Sequence, residues 1–488
     1  MLLASANFIA VLDATIANVS MPHIAGSLSI TASQCTWVVT SYSVAEAIAV
    51  PLAGWLAARF GQVRVLVTAM TCFAVFSALC GLAGTLGFLV TARIFQGLAG
   101  APMMPMSQAL LRRIFPKEKL MTALGIWAMT AMLAPIAGPV VGGWLCDHFS
   151  WPWIFYVNVP IALVCGRLIR RRLGVYEQPT RKMPVDLVGL GLLIVWVGSL
   201  ELMLDHGREQ DWFQSPWICG LCAVSVIGFI AFLIWELTEA HPIVDLRIFR
   251  HHNFRIGVLT LALIFGANFG GNILTPLWLQ TGMGYTAGWA GLTTFWMGLC
   301  ALLITPHVSK VARFFDQRLL VFCSVLWISL VTCTLRAGSN TDMDYWNITL
   351  PLMLTGLAMP FYFLPLNAIT LAGVPQQETA NAAGLISFIR TLAGAFGGAI
   401  YASLWEARIA SNHAELAGQA NSLEGLRALQ ALPVESQAPV LDQLVQGQSV
   451  MLATNQVLLI VALSFCLGGC VIWLAHRPQL NPATGGPR

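Results

Sequence analysis

The sequence predicts an all-α integral membrane protein built as two six-helix bundles with two further helices inserted between them. This gives fourteen transmembrane helices, with the N and C termini cytoplasmic. Three observations carry the prediction. Hydrophobic residues make up 57% of the 488 residues and charged ones only 10%, and a mean hydropathy of +0.73 leaves too little polar surface to coat a water-soluble domain. The apolar residues fall into runs of membrane-spanning length. Basic residues gather in alternate breaks between those runs.

Taken in order, the runs are 2–21, 36–57, 65–84, 88–106, 122–145, 154–171, 186–204, 216–238, 256–279, 287–308, 319–336, 348–371, 384–405 and 452–475. At roughly 20 residues each they consume about 280 residues, which leaves short loops and little room for a soluble domain. The first run follows no basic n-region, so it reads as a retained span and not as a cleaved signal. An even number of spans puts both termini on one side.

The charge distribution says which side. One set of alternate breaks carries Arg59 and Arg64; Arg112, Arg113, Lys117 and Lys119; Arg170, Arg171, Arg172, Arg181 and Lys182; Arg247, Arg250 and Arg255; Lys310, Arg313 and Arg318; and Arg477. The opposite set holds only Arg208, Arg336, Arg408 and Arg427. The positive-inside rule makes the first set cytoplasmic. Trp37, Trp151, Trp153, Trp212 and Trp346 then fall near outer ends, where indoles favour the headgroup level. The long outer break, about 406–451, is rich in Ala, Leu, Gln and Glu and is expected to be either amphipathic helices that dock a periplasmic partner or a solvated connector. On the inner side, His241 to Arg255 reads as an interfacial helix on anionic lipid.

Several functions are excluded at this level. The net charge of +4 is scattered over the loops, so nucleic acid is not an expected partner. Of the twelve cysteines, most stand inside apolar runs as small packing residues. Cys219 and Cys222 form a CxxC without further ligands at metal spacing, so neither a metal nor any other cofactor is expected. No GxxxxGK[ST] occurs, and the energy source is therefore not an ATP site in this chain.

An internal repeat supports the two-bundle arrangement. Ala58-Arg59-Phe60-Gly61-Gln62-Val63-Arg64 is matched by Ala312-Arg313-Phe314-Phe315-Asp316-Gln317-Arg318, Asn18-x-x-x-Pro22 by Asn272-x-x-x-Pro276, and Gly138-Pro139-x-x-Gly142-Gly143 by Gly394-Ala395-Phe396-Gly397-Gly398. All three pairs share an offset of eight spans. The division that follows is an N-terminal bundle at 1–173, a linker with two inserted helices at 174–250, and a C-terminal bundle at 251–488 that includes the outer loop. Such duplication suits a transporter whose halves tilt about a midplane site.

These residues resemble the major facilitator superfamily over nearly the whole chain, and within it the fourteen-span drug:proton antiporters of EmrB type. Leu12-Asp13-x-Thr15-Ile16-x-Asn18-Val19-x-x-Pro22 is similar to that family's first-helix motif, Gly54-Trp55-Leu56-Ala57-Ala58-Arg59-Phe60-Gly61 to the superfamily's loop 2-3 motif, and Arg93-x-x-Gln96-Gly97 to its fourth-span motif. Gly138-Pro139-x-x-Gly142-Gly143 resembles the fifth-span motif of antiporters, and Trp153-Ile154-Phe155-x-x-Asn158-x-Pro160 follows the same pattern. Ala58 stands where the loop motif usually carries Asp, which is read as a trait of the branch. The resemblance also implies a short basic leader, so the start is expected to be truncated or to lie upstream. It further implies export of hydrophobic or weakly acidic toxicants from a multi-pass position in the bacterial inner membrane, together with a periplasmic adaptor and an outer-membrane channel.

Charges kept within the spans are the candidate working groups, because a carboxylate in hydrocarbon costs about 2.5 to 3.5 kcal/mol on insertion scales. Asp13 and Glu46 lie near the midplane, and the stem of Arg93 can carry its guanidinium inward. The two carboxylates are proposed proton carriers with Arg93 tuning their affinity; a fixed pair that locks the bundle is the other reading of these residues. Glu201 reads as an interfacial side chain, and Arg390 as a packing or gating contact near the inner end of its span. Gly54, Arg59, Gly61, Gly138, Pro139, Gly142 and Gly143 are candidates for conformational roles, as hinge, seal or close helix contact. Asn18, Tyr42, Trp127, Met129, Asn268, Asn272, Gln280, Phe361, Tyr362 and Asn367 are the candidate walls of a substrate cavity, with packing as the alternative for each. An uptake symporter for a polar nutrient predicts more paired charges than these three. A membrane enzyme or flippase predicts clustered catalytic groups, whereas His23, His148, His241, His307 and His476 sit at span ends.

Overall fold

A bilayer offers no hydrogen bonds to the backbone, so a spanning chain satisfies its peptide groups within helices. The structure, a computed structural model, describes the chain except residues 31, 178–179, 181–185, 208–209, 241, 313, 341–342, 376–378, 421–433 and 477–488. Arg181, Lys182, Arg208, His241, Arg313, Arg427 and Arg477, and the side chains of Asn18, Lys117, Lys119 and Pro139, therefore lie outside the described residues. Among those described there is no strand.

Among the described residues seventeen α-helices follow one another: α1 Leu2–Leu28, α2 Ala32–Ala49, α3 Ala53–Phe60, α4 Gln62–Gly81, α5 Leu86–Gly100, α6 Met103–Ile114, α7 Lys117–His148, α8 Trp153–Tyr156, α9 Asn158–Leu173, α10 Leu187–His206, α11 Pro216–Thr238, α12 His252–Thr281, α13 Ala287–Val311, α14 Gln317–Val331, α15 Tyr345–Thr370, α16 Thr379–Ala420 and α17 Val434–Val471. Each expected run coincides with one helix or with two consecutive ones. The second run is broken between α2 and α3 with a bend of 57°, and the fourth between α5 and α6. Pro51 and Pro102 stand at these breaks, where a missing N–H and a fixed φ interrupt the ladder. Among the described residues ten helices are long and apolar enough to cross a membrane, or eleven with the bent pair taken as one span; α1, α5–α6 and α7 occupy the other expected runs.

Packing reproduces the repeat. Helix α1 lies on α7 as α12 lies on α16; α2 lies on α5 as α13 on α15; α4 lies on α9 as α14 on α17; and α4 meets α5 as α14 meets α15. Every one of these pairs is displaced by eight spans, so the weak motif matches reflect two groups of helices with the same internal arrangement. The α10–α11 pair packs on itself and touches α2 and α16. Its outer surface exposes Val226, Ile227, Ile230 and Ile234, a face suited to lipid and not to water.

Glycines set the closest approaches. A Cβ on Gly142 would stand 2.8 Å from Ile16 Cγ1 and 3.1 Å from the Ile16 carbonyl oxygen, and one on Gly138 would stand 3.0 Å from Thr15 Cβ. In the matching α12–α16 contact a Cβ on Gly397 would meet Gly266 Cα at 2.6 Å, and one on Gly394 the Phe269 ring at 3.2 Å. Small residues here let helix backbones approach closely, the main source of helix association in lipid. Helix α7 runs unbroken through this motif, so the glycines act as a close contact and not as a break.

In its described parts the outer stretch 406–451 is helical and not a solvated connector: α16 continues to Ala420 and α17 begins at Val434. At their foot Trp405 Nε1 donates to Thr454 Oγ1 at 2.8 Å, and further out His413 Nε2 of one extension stands 3.6 Å from Asp442 Oδ1 of the other. On the inner side, the expected interfacial helix is a 3-10 turn at Leu246–Arg250, and α12 starts two residues later because Asp245 caps the turn by accepting from Arg247 N at 3.1 Å.

The glycine contacts yield a test. Gly397→Leu should drive α12 and α16 apart and lower the midpoint of thermal unfolding in detergent by an amount corresponding to about 1–3 kcal/mol. Gly198→Ala in α10, where a Cβ meets nothing within 4 Å, should leave the midpoint unchanged or slightly raised.

Candidate functional site

Asp13 and Arg93 meet in the interior of the first helix group. Helix α1 brings Asp13, about eleven residues from its start, against α5, and both side chains are fully buried. Arg93 Nη1 donates to Asp13 Oδ2 and to Gln96 Oε1 at 2.9 Å, while its Nε donates to the Val38 carbonyl at 2.9 Å. Gln96 Nε2 and Asn158 Nδ2 both donate to Asp13 Oδ1, at 2.9 Å and 2.7 Å. The guanidinium lies 4.3 Å from the Tyr42 ring centroid and 5.5 Å from that of Phe155. Three donors thus hold one carboxylate in place, drawn from α5 and from α9.

Two of these partners, Gln96 and Asn158, stand in the quoted motifs without a role assigned from sequence. The spacing of Arg93 and Gln96, three apart on one helix face, is the signal that links them; nothing local in the sequence places Asn158 on the same carboxylate. Close approach is needed as well. A Cβ on Gly100 would stand 2.9 Å from the Tyr42 hydroxyl oxygen, and one on Gly97 would lie 3.0 Å from Ala45 Cβ. The pair is not fully satisfied: Arg93 Nη2, Tyr42 Oη and Asn158 Oδ1 are buried without a hydrogen-bond partner.

Glu46 stands apart from this network. It sits at the middle of the α2–α3 span, half-buried, and has no hydrogen bond among the described residues. Its charge interacts with Asp13 and Arg93 on one side and with Arg390 of α16 on the other. Arg390 is also half-buried. Its Nη2 touches Met104 Sδ of α6 at 2.6 Å and its guanidinium lies 5.6 Å from the Phe265 ring centroid. Arg390 of α16 thus reaches α6 across the seam between the two helix groups. Phe363, which packs against the cores of both groups and lies 6.0 Å from Phe265, marks the same seam.

The expected cavity walls separate into three sets. Asn272 donates to Asn268 Oδ1 at 2.5 Å, and Asn268 to the Tyr362 hydroxyl at 3.0 Å, so α12 and α15 share a polar ladder. Tyr42 and Trp127 are buried inside the first group instead; Trp127 Nε1 donates to Ser107 Oγ at 2.9 Å. Phe361 faces outward into a groove between α14 and α15 with Leu320, Trp327 and Leu357, one residue round the helix from Tyr362. Gln280 is exposed and donates to the Pro276 carbonyl of its own helix at 3.2 Å, and Asn367 does likewise to Phe363 at 2.7 Å. Met129 is half-buried in α7.

The loop between α3 and α4 shows what stands near Ala58. Gly61 has φ +92°, a left-handed value that favours glycine, and the Glu177 carboxylate fills the space a side chain there would need. Glu177 accepts from Val63 N at 3.1 Å and from Arg64 N at 2.9 Å, closing the exposed N–H groups that open α4. Sequence reading missed Glu177, which lies more than a hundred residues downstream. Gly54 lies within α3, and the Arg59 guanidinium lies 5.5 Å from the Trp55 ring centroid.

The family model described as Major Facilitator Superfamily matches residues 3–398. The chain belongs to this superfamily. It is accordingly a transporter and not an enzyme, and a multi-pass protein of the bacterial inner membrane. It is 40% identical to the multidrug export protein EmrB of Haemophilus influenzae over 98% of this chain and 95% of that one. It is 37% identical to EmrB of Escherichia coli strain K12 over 99% and 96%, and 37% identical to the fatty acid resistance protein FarB of Neisseria gonorrhoeae over 99% and 96%. Among solved structures, a bacterial homologue of the human lysosomal transporter Spinster, inward-facing and unoccupied, aligns over 98% of both chains with a TM-score of 0.56 and 16% identity. A D-xylose-proton symporter aligns over 93% and 95% with a TM-score of 0.58 and 15% identity. At such identities the structures share the fold alone.

Within this superfamily member, the buried pair makes an unusual stability prediction. Arg93→Gln leaves Asp13 charged and uncompensated, at a cost of about 3–5 kcal/mol. The double variant Asp13→Asn with Arg93→Gln should recover most of the lost thermal midpoint, because no charge then remains buried. A Glu177→Ala variant should lose about 0.5–2 kcal/mol, as for removal of a helix cap, with faster hydrogen exchange confined to the first turn of α4.

Proposed function

We propose that this transporter is the permease of a multidrug efflux system that expels hydrophobic or toxic small molecules from the bacterial cell in exchange for protons. The observation that carries the export reading is the near full-length likeness to proteins named for multidrug export. A ligand-free energy source supports it: one charge crossing 100 mV releases about 2.3 kcal/mol, enough for a roughly forty-fold gradient of a neutral substrate.

In this reading the proposed halves at 1–173 and 251–488 tilt against one another, with fourteen spans, cytoplasmic termini and the 174–250 helices as a side support. The Asp13–Arg93 pair and Glu46 are the proton-handling groups. A carboxylate held by a guanidinium and two amides stays charged while sealed. Tilting that admits outside water and separates the pair lets a proton take the place of the guanidinium as the partner of the carboxylate. Protonation in turn removes the attraction that closes the pair. Glu46, accessible at the seam, lies on the route between water and Asp13. Gly138, Gly142 and Gly143 keep α7 close enough to α1 for the movement to be transmitted; Gly54, Arg59 and Gly61 shape the inner turn about which α3 and α4 pivot. The outer extensions of α16 and α17 are the proposed docking element for a periplasmic adaptor that continues to an outer-membrane channel.

Energised vesicles loaded with a lipophilic dye provide the test. Wild type should move dye only under an imposed pH gradient, Asp13→Asn should fall by at least tenfold while remaining folded, and Asp13→Glu should retain partial activity. Dye movement by Asp13→Asn equal to wild type would assign that residue to structure and leave Glu46 as the carrier.

A further inference from the structure

Arg390 is the group that the proposed function leaves unused. Its guanidinium carries five N–H donors, yet among the described residues its hydrogen-bond partner is the Met104 thioether, a weak acceptor. Among the described residues no oxygen accepts from it, the ionised group whose charge acts on it is Glu46 across the seam, and the two share no hydrogen bond or ion-pair contact. A guanidinium held within a membrane-spanning helix without an oxygen partner is expensive, and the side chain stays partly exposed at the seam.

The surroundings define the ligand. Phe265 lies against the guanidinium, Phe363 lies beside Phe265 and bridges the cores of both helix groups, and Met104 closes the side towards α6. Apolar and polarisable walls around one planar cation fit a lipophilic body bearing an anionic head. The carboxylate geometry matches a guanidinium fork, which binds two oxygens side by side. By contrast, a lipophilic cation placed here would meet Arg390 at short range with only Glu46 to offset it.

From this arrangement we propose that Arg390 is a specificity-determining residue that binds the carboxylate or other oxyanion head of lipophilic substrates, in competition with Glu46 for the same guanidinium. The proposal rests on the export reading for its biological direction, but not for the binding itself. It also gives Glu46 a second consequence: while ionised, it shields Arg390 and weakens the anion's hold.

The test is equilibrium binding to the purified full-length protein in lipid nanodiscs, using naphthoate and its uncharged isostere naphthamide as probes. Wild type should bind naphthoate about tenfold or more tighter than naphthamide, the span expected for one charge-assisted contact. Arg390→Gln should abolish that preference while leaving naphthamide binding within twofold. Arg390→Lys should keep part of it, and Glu46→Gln should strengthen naphthoate binding several-fold without altering naphthamide. Equal affinity of wild type for both probes overturns the proposal, as does a preference that survives in Arg390→Gln. If Arg390→Gln does not fold, Glu46→Gln and Arg390→Lys decide it by the same comparison. Charge preference in binding combined with no gradient-driven movement in vesicles would sink the export reading and leave the anion site standing.

Discussion

The first helix group is organised around a charge pair that water does not reach. Asp13 and Arg93 come from α1 and α5, and Gln96, Asn158 and the Val38 carbonyl supply further hydrogen-bond partners. Buried ion pairs add little net stability over apolar packing, but breaking one is costly. The pair therefore specifies which helices must sit together more than it strengthens them, and its orphaned Nη2 and Asn158 Oδ1 mark it as a network that is not saturated in this state. A transporter that must rearrange is served by such a compromise.

Close backbone contact is the second constraint. Lipid supplies no hydrophobic driving force between helices, so their association depends on packing. Here Gly138 and Gly142 bring α7 against α1, and Gly394 and Gly397 bring α16 against α12. The same device recurs at the same place in both groups. Glu46 and Arg390, at the seam between the groups, remain partly exposed, whereas Asp13 and Arg93 are fully buried inside the first group.

Much of the architecture was legible because it depends on sums over many residues. Hydropathy located the helices, loop charge suggested sidedness, and three weak motif matches gave an offset that the helix contacts reproduce pair for pair. Asp13 and Arg93 stood out because charge is rare in apolar runs. Glu177 did not, because its role is to fill a space opened by Gly61 in a distant turn, and an exposed-looking glutamate in a linker carries no local mark. Phe361 and Tyr362 show the limit at single-residue scale: neighbours in sequence point about 100° apart on a helix, and only one of them joins the polar ladder with Asn268.

The sequence by itself determined that the chain is a bundle of apolar helices with a duplicated plan and a few charges at depth, since those properties follow from composition, period and the cost of placing a charge in lipid. Which charges meet was decided only by the tertiary structure. Asn158 reaches Asp13 across 145 positions, and Arg390 reaches Met104 across 286. Hydrogen bonds and ion pairs act over a few ångströms, and the rotation of each helix about its axis, which sets those distances, is fixed by the packing of all its neighbours at once.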